Sequence, residues 1–226
     1  MFCVTIDGKA GCGKSSLAQE LSKQTGLKNF NTGAVYRGIT CQYFKQYGET
    51  PPNQKIVDEF VKTLDVKVDF KDGTQNVVVN GTNFTPFLRE EKVNNFVALV
   101  SPYDEIREKV RQIQREFAKN NECIMEGRDI GRVVLPFAPC KLFVTASNEV
   151  RAQRRYEQLK NTPDCPTVEQ LIKEQEERDF KDINREHGAL IPAEDAIVID
   201  NSTETLEQTT QRCVGIINKI KASQKN

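Results

Sequence analysis

Short apolar runs and longer amphipathic segments alternate along most of the chain. The short runs lie at residues 2–7, 27–30, 123–125, 141–146 and 196–200, and the first is continuously apolar apart from Thr5 and Asp7, as in a strand buried on both faces. Amphipathic segments with a helical period lie at about residues 15–24, 32–47, 54–64, 90–117 and 204–220. Polar segments at 148–160 and 168–186 are also predicted to be helices. Strands that alternate with helices predict an α/β fold with a parallel sheet covered on both faces.

Several helix ends are marked by the sequence itself. Gly26 follows the first amphipathic segment, where a C-cap glycine is expected, and Thr32 is placed to cap the start of the next helix. Residues 48–52 end that helix, and Pro102 divides the segment at 90–117 into two helices.

Residues 66–85 follow a different pattern. Val66, Val68 and Phe70 alternate with charged residues, and turn signals at residues 71–73 and 80–81 flank a second apolar run. This pattern predicts an antiparallel meander, which a chain of alternating strands and helices does not require. We therefore predict one domain, with a core at residues 1–50 and 100–226 and a small β insert at about 51–99.

The loop after the first strand fits the pattern G-x-x-x-x-G-K-[ST]. Such glycines let backbone N–H groups form a nest for phosphate, and the following helix adds the positive end of its dipole. Lys14 would reach the outer phosphates, and the Ser15 hydroxyl would be a ligand of Mg²⁺. The alternative is a glycine-rich turn that only links a strand to a helix. The predicted ATP-binding residues are Gly8, Lys9, Ala10, Gly11, Cys12, Gly13, Lys14, Ser15 and Ser16.

Charge and cysteine content narrow the class of protein. Lys and Arg total 32, as do Asp and Glu, so no overall field favours nucleic acid or an anionic membrane. Seven scattered cysteines without a C-x-x-C, and one histidine, favour reduced thiols over a disulfide framework or a zinc site. No signal peptide or membrane-spanning run is recognised. We expect a cytoplasmic monomer.

Arginines form two further groups outside the loop. Arg151, Arg154 and Arg155 share one helix face, for which a charged face in solvent is the simpler interpretation. Arg178, Asp182 and Arg185 also share a face, on which Arg178 and Asp182 could simply pair with each other.

Arg128 and Asp129 directly follow a buried strand, where ligands collect in open α/β sheets. Phosphoryl transfer gives such arginines a use, because its catalysis depends on positioning and on cations. An acceptor that is itself a phosphate needs a guanidinium clamp, whereas an alcohol needs a carboxylate base. The excess of arginine favours a phosphate acceptor.

The chain resembles the bacterial-type cytidylate kinases, P-loop nucleoside monophosphate kinases. The resemblance covers nearly the whole chain, in family order. It rests on residues 6–15, on Asn31-Thr32-Gly33-Ala34-Val35-Tyr36-Arg37, on Gly127-Arg128-Asp129-Ile130-Gly131-Arg132-Val133-Val134, on residues 151–156, on residues 178–185, and on Leu190-Ile191-Pro192-Ala193-Glu194-Asp195-Ala196.

The resemblance implies a P-loop NTPase-type three-layer α/β/α fold with a helical lid at about 148–186. It implies transfer of the γ-phosphate of ATP to CMP or dCMP with Mg²⁺. The acceptor phosphate would be held by Arg37, Arg128 and Arg185, the cytosine by Thr32, Arg107 and Asp129, and the ribose by Arg178 and Asp182. The lid would carry Arg151, Arg154 and Arg155. The implied catalytic residues are Lys14, Arg128, Arg151, Arg154, Arg155 and Arg185.

Some positions depart from the family pattern. Lys9 stands where proline is usual, Glu126 where aspartate is usual, and Ala98 where a polar residue near the sugar is expected. Cys12, between loop amides and beside Lys14, gives the hypothesis of a reactive thiol, against a small residue that simply fits.

Two other kinds of function remain as alternatives. One is a P-loop kinase of a small metabolite such as shikimate; the β insert and the arginines argue against it. The other is a nucleotide-binding switch, which would need an Asn-Lys-x-Asp motif that the chain lacks. Size and balanced charge disfavour a nucleic-acid motor.

Overall fold

The computed structural model describes residues 1–71, 73–162, 165–184 and 188–224. The chain divides into two compact units. The first comprises residues 1–29 and 122–226, and the second comprises residues 30–121. The chain therefore passes from one unit to the other within the second strand, at residues 29–30, and again at residues 121–122.

The first unit contains most of the strands and helices that the apolar runs predict. Its strands are β1 Cys3–Gly8, β6 Cys123–Glu126, β7 Cys140–Thr145 and β8 Ile197–Asp200, and β2 Lys28–Asn31 begins in it. Its helices are α1 Lys14–Thr25, α6 Asn148–Leu159, α7 Val168–Ile183 and α8 Leu206–Ser223. A π-helical turn, Ile130–Val134, follows β6.

The five strands form a sheet in the order β2-β6-β1-β7-β8. β1 pairs in parallel with β6 on one side and β7 on the other, with Val4 opposite both Ile124 and Cys140. Because β1 is central, all six of its residues are buried. The predicted parallel sheet and α/β class are confirmed.

One apolar cluster holds the sheet and its helices together in this unit. Ile6 of β1, Leu17 and Leu21 of α1, and Ile217 of α8 all belong to it and are at most 1% exposed. Leu17 and Leu21 lie four residues apart and so share the buried face of α1. Burial of these side chains therefore fixes the helix that follows the glycine-rich loop.

The second unit contains the antiparallel sheet. Its helices are α2 Thr32–Tyr47, α3 Gln54–Lys62, α4 Glu91–Val100 and α5 Asp104–Asn120. Its strands are β3 Val66–Lys71, β4 Thr74–Val79 and β5 Thr82–Asn83, in that order. Val66 lies opposite Val79, and Val79 opposite Thr82, so the predicted meander is confirmed. A 3₁₀ turn at Thr85–Phe87 follows it.

Aromatic side chains form part of the core of the second unit. The Tyr43 ring on α2 meets Phe60 of α3 edge-on, with 5.5 Å between ring centroids. The same tyrosine ring lies 5.8 Å from Phe96 of α4. Such pairs favour tilted and edge-on geometries, and they join three helices around one buried ring.

Two helix boundaries differ from the sequence prediction. Asn31, not Thr32, is the N-cap of α2, because its side chain accepts from the Ala34 N–H and leaves Thr32 as the first helical residue. α7 ends at Ile183, three residues before the predicted end, and Asn184 is its C-cap. Residues 185–187 lie outside the described part of the chain. Among the described residues, no helix combines the length and the hydropathy needed to cross a membrane.

Candidate active site

The glycine-rich loop leaves the carboxyl end of β1 in a conformation that only glycine permits. Gly8 has a φ of 145°, and a Cβ there would lie 2.0 Å from the Val144 carbonyl oxygen of β7. Gly13 precedes α1 with a φ of 86°, in the left-handed region. The motif glycines therefore correspond to a backbone path that a side chain would block.

Side chains donate hydrogen bonds to carbonyl groups of this loop. The Lys9 carbonyl accepts from Lys14 Nζ at 2.6 Å and from the Cys12 thiol at 3.0 Å. The Ala10 carbonyl accepts from Arg151 Nη1 at 2.9 Å. Since the C=O and N–H of one peptide point in opposite directions, anchoring the carbonyls turns loop amides the other way, as an anion nest requires.

A third loop carbonyl accepts a hydrogen bond from a residue that is distant in the sequence. Asn201, just after β8, donates its amide to the Cys12 carbonyl at 3.0 Å. Arg154 in turn donates to the side chain and to the carbonyl of Asn201, each at 3.0 Å. Arg154 thus supports the loop through Asn201.

Arg151 is fully buried beneath the loop. Besides Ala10, its guanidinium contacts Asp179 Oδ2 at 2.7 Å, and Lys9 Nζ lies 3.5 Å from the same carboxylate oxygen. Arg151 is 0% exposed, so the interpretation of its helix face as a charged face in solvent is wrong at this position. That interpretation does describe Arg155, which is exposed and donates only to Gln158 among the described residues.

Lys14 combines burial with nearby positive charge. Burial and, to a smaller extent, the charge of Arg128 lower the pKa of Lys14 to about 8, against the opposing effect of Cys12, Glu126 and Asp7. A buried ammonium next to a guanidinium is unfavourable in the free protein. An anion bound between them would relieve that repulsion.

Ser15 and Glu126 form the oxygen pair expected of a magnesium site. The Ser15 hydroxyl donates to Glu126 Oε2 at 2.6 Å, which joins the start of α1 to the end of β6. Mg²⁺ in kinase sites takes one or two carboxylates besides phosphate and water. A hydroxyl and a carboxylate in contact beside the loop fit that donor set.

Asp7, just before the loop, links it to the segment after β6. Its two carboxylate oxygens accept from the N–H groups of Ile130 and Gly131, at 2.9 and 2.7 Å. Burial raises the pKa of Asp7 to about 6, in spite of these hydrogen bonds. The carboxylate therefore fixes the turn that begins immediately after Arg128 and Asp129.

Arg128 is held by a carboxylate from α7. Its Nε donates to Asp182 Oδ2 at 2.9 Å, and Asp182 is 3% exposed. The simple pairing of Arg178 with Asp182 is thus replaced by a pair that involves Arg128. Arg178 is itself exposed and within electrostatic range of Arg128 and Arg155.

The first unit therefore gathers several cations around its loop. Besides burial, the charge of Arg128 lowers the pKa of Lys14, and the charges of Arg128 and Arg155 lower the pKa of Arg178 against the opposing effect of Asp179. Mutual repulsion of this kind lowers stability unless an anion compensates it. Among the described residues no group of three His, Cys, Asp or Glu is arranged to hold a metal by protein ligands alone.

Three predicted substrate residues lie in the second unit. Arg37 donates from Nε to Asn94 Oδ1 at 2.8 Å. Thr32 begins α2, and Arg107 is on α5; they are 7% and 8% exposed. Ala98, on α4, is exposed. Arg185 and His187 lie outside the described residues.

The comparisons with known proteins agree with one another. The family profile described as Cytidylate kinase matches residues 4–219. A cytidylate kinase of Caldicellulosiruptor bescii is 37% identical over 96% of this chain and 96% of its own. A cytidylate kinase of Desulforamulus reducens is 37% identical over 97% of this chain and 98% of its own.

The chain belongs to the cytidylate kinase family. As a member it is an enzyme, a phosphotransferase of the nucleoside monophosphate kinase class. A solved structure described as an uncharacterized protein from Eubacterium ventriosum has a TM-score of 0.54 at 10% identity, covering 96% of this chain and 99% of that one. That likeness concerns the fold alone.

The sequence of this cytidylate kinase family member does not reveal the contacts of several residues around the glycine-rich loop. Asp7 falls within the motif segment at residues 6–15, but the sequence does not indicate that it accepts hydrogen bonds from the N–H groups of Ile130 and Gly131. Asn201 and Asp179 carry no local signal, because each acts on a loop more than 150 residues away in sequence. Glu126 stands out in the sequence only as a departure from the family aspartate.

Proposed function

We propose that this family member transfers the γ-phosphate of ATP to CMP or dCMP, giving ADP and CDP or dCDP. The observation that carries the proposal is the set of repelling cations beside the glycine-rich loop in the first unit. Burial and the charge of Arg128 lower the pKa of both Lys14 and Arg178. Two phosphorylated substrates would supply the compensating charge, and a transferring phosphoryl group most of all.

The donor half of this proposal assigns residues 8–16 to ATP. Loop amides would bind the β- and γ-phosphates, Lys14 would neutralise the outer phosphates, and the dipole of α1 would add to both effects. The carbonyl contacts from Arg151 and Asn201 support this assignment, because they hold the loop open before any ligand arrives. We therefore propose that Arg151 positions the loop rather than reaching the substrate.

Ser15 and Glu126 would hold Mg²⁺. When bound, the ion would supply positive charge that neutralises the phosphates. Their 2.6 Å hydrogen bond supports the assignment, because it places a hydroxyl oxygen and a carboxylate oxygen, both of which Mg²⁺ accepts as ligands, side by side.

The acceptor half of the proposal rests mainly on the family resemblance. Guanidinium groups bind phosphate in bidentate fashion, and the phosphate of CMP is already ionised at neutral pH, so no strong general base is needed. The Arg128–Asp182 pair supports this assignment, because Asp182 fixes the direction of the Arg128 side chain. The proposed acceptor residues are Arg37, Arg128 and Arg185 for the phosphate, Thr32, Arg107 and Asp129 for cytosine, and Arg178 and Asp182 for ribose.

Of the remaining lid arginines, Arg155 is the best placed to meet phosphate. It is exposed, whereas Arg154 is committed to Asn201 and Arg151 to Asp179 and Ala10. An exposed guanidinium can approach the transferring group without losing a structural contact. We assign the catalytic cations as Lys14, Arg128, Arg155 and Arg185.

A substrate panel tests the proposal directly. ADP release from Mg²⁺–ATP is measured with CMP, dCMP, UMP, AMP, GMP and shikimate as acceptors. We expect CMP and dCMP to give the largest kcat/KM. Stimulation by shikimate alone would support the metabolite kinase alternative, and no stimulation by either cytidine nucleotide would overturn the proposal.

A further inference from the structure

Helix α5 carries polar side chains on its buried face. Arg107 and Gln114 are 8% and 2% exposed, and they share that face with Ile106 and Val110. Two positions seven residues apart lie on the same side of a helix, two turns from each other. Burying an amide costs free energy unless it is hydrogen-bonded, so the position of Gln114 calls for a specific partner.

That partner is the hydroxyl of Thr32. Gln114 Nε2 donates to Thr32 Oγ1 at 2.8 Å, across 82 residues of sequence. Thr32 is 7% exposed, so the bond is shielded from water at both ends. Both residues lie in the second unit.

The backbone around Thr32 is fixed as well. The amide of Gln75 on β4 contacts both the N–H and the carbonyl of Asn31, at 2.6 and 3.1 Å. The Asn31 side chain then accepts from the Ala34 N–H at 2.9 Å. These contacts hold the main chain next to Thr32, and Gln114 holds its Oγ1, so the hydroxyl hydrogen is the part of Thr32 that remains to be placed.

Gln114 determines where the hydroxyl hydrogen of Thr32 can point. A hydroxyl has one hydrogen to donate and two lone pairs that accept. Because Gln114 donates to one lone pair, the hydroxyl hydrogen must point elsewhere, and among the described residues no acceptor for it is shown. Thr32 therefore presents a donor to whatever ligand lies beside it.

A fixed donor distinguishes the two common pyrimidines. Cytosine carries a lone pair at N3, whereas uracil carries an N3–H at the same place. A hydroxyl hydrogen aimed at that edge makes a bond with cytosine and meets another hydrogen on uracil. Sites built from oriented polar groups discriminate in this way because the wrong ligand leaves buried groups unpaired.

We propose that Gln114 is a positioning residue that sets the preference for cytosine over uracil by holding the Thr32 hydroxyl as a donor. The inference rests on the proposed function, in which Thr32 contacts the base. It adds a residue that never touches the substrate and acts through its partner.

The hydrogen bond can be broken from either side. Gln114→Met keeps an unbranched side chain of similar length without the amide, and Thr32→Val removes the acceptor. We expect each variant to lower kcat/KM for CMP about tenfold and to change that for UMP little, since one net hydrogen bond is at stake. In the Thr32→Val background, Gln114→Met should have no further effect on the ratio of CMP to UMP.

Gln112→Met is the matched control, because Gln112 is on the same helix but exposed. It should leave both kcat/KM values unchanged. Equal losses for CMP and UMP in Gln114→Met would show a purely structural role and overturn the inference, as would losses that add to those of Thr32→Val. Binding of CMP and UMP by calorimetry gives the same comparison without turnover.

Failure of the proposed function has a different outcome. If the wild-type enzyme neither phosphorylates nor binds CMP, the proposed function is wrong, and with it the premise that Thr32 contacts a cytosine base. If the wild type uses CMP and Gln114→Met keeps the wild-type ratio of CMP to UMP, only the role of Gln114 is overturned.

Discussion

Arg151 Nη2 lies 2.7 Å from Asp179 Oδ2, and neither side chain is more than 7% exposed. The pair joins α6 to α7 and holds the guanidinium that donates to the Ala10 carbonyl. It therefore connects the stability of the first unit to the shape of the phosphate-binding loop.

Asp179→Asn tests this connection. Removing one partner leaves a buried charge without its counter-ion, so we expect a loss of about 3 kcal/mol in the free energy of unfolding. The apparent affinity for ATP should fall as well. Urea unfolding and ATP titration measure the two effects. The control Glu177→Gln removes the same charge from an exposed position on α7 and should change neither; equal behaviour of the two variants would contradict the assigned role.

Glu126→Gln tests the proposed magnesium site. The hydrogen bond from Ser15 would be kept by an amide oxygen, but the negative charge that attracts the cation would be lost. We expect the Mg²⁺ concentration needed for half-maximal activity to rise roughly 10–100-fold. Glu122→Gln, which removes a surface carboxylate paired with Lys221, should leave it unchanged. Unaltered magnesium dependence in Glu126→Gln would remove Glu126 from the site.

Arg128→Ala tests the acceptor clamp. We expect kcat to fall roughly 10²–10³-fold while ATP still binds, because the lost guanidinium acts on charge that develops during transfer. Arg132→Ala is the control, since Arg132 lies in the turn that follows Arg128 and is exposed. Wild-type turnover in Arg128→Ala, measured by coupled assay, would show that the clamp is wrongly assigned.

The lowered pKa of Lys14 predicts a pH dependence of ATP binding. The free enzyme loses this proton near pH 8, while a bound polyphosphate would raise the pKa of Lys14 again toward its ordinary value of 10.5. Between pH 8 and 10.5 the complex thus holds a proton that the free enzyme has lost. We expect ATP affinity to fall through this range and up to one proton to be taken up on binding.

Calorimetry in buffers of different ionisation enthalpy measures that proton. Lys14 also affects the stability of the free enzyme. Because its pKa is lower in the folded state than in the unfolded state, the free energy of unfolding increases as the pH rises from 8 to 10.5. ATP affinity that stays constant across this range, with no uptake of protons, would contradict the electrostatic assignment.

The exposure of the cysteines predicts their order of alkylation. Six of the seven are buried, Cys12 among them, and Cys165 is partly exposed. We expect iodoacetamide to label Cys165 first in the native enzyme, and Cys12 no faster than Cys213, which is equally buried. Mass spectrometry of tryptic peptides gives the order. Early labelling of Cys12, suppressed by ATP, would instead support the hypothesis of a reactive thiol.

The sheet and the loop could be predicted from the sequence because each depends on a pattern of neighbouring residues. Continuous apolar runs placed the strands that became β1, β6, β7 and β8, and the glycine pattern placed residues 8–15 between a strand and a helix. It also separated the antiparallel meander, whose turns are marked by Gly73 and Gly81.

The partners of the site could not be predicted in the same way. The spacing of Arg151 and Arg154 shows that they share a helix face, but not that Asp179 and Asn201 lie opposite them. The side chain of Asp7 gives no sign that it will accept from two backbone N–H groups more than a hundred residues later. These contacts depend on tertiary packing, which a local pattern does not contain.

The way the loop carbonyls are held has a consequence for protein engineering. Residues 8–15 cannot be moved to another protein by themselves, because their conformation depends on Arg151 and Asn201, which belong to elements distant in the sequence. Grafted alone onto another strand and helix, the eight residues would keep their glycines but lose the supports that orient their amides. A working transplant would have to bring α6 and the end of β8 with the loop.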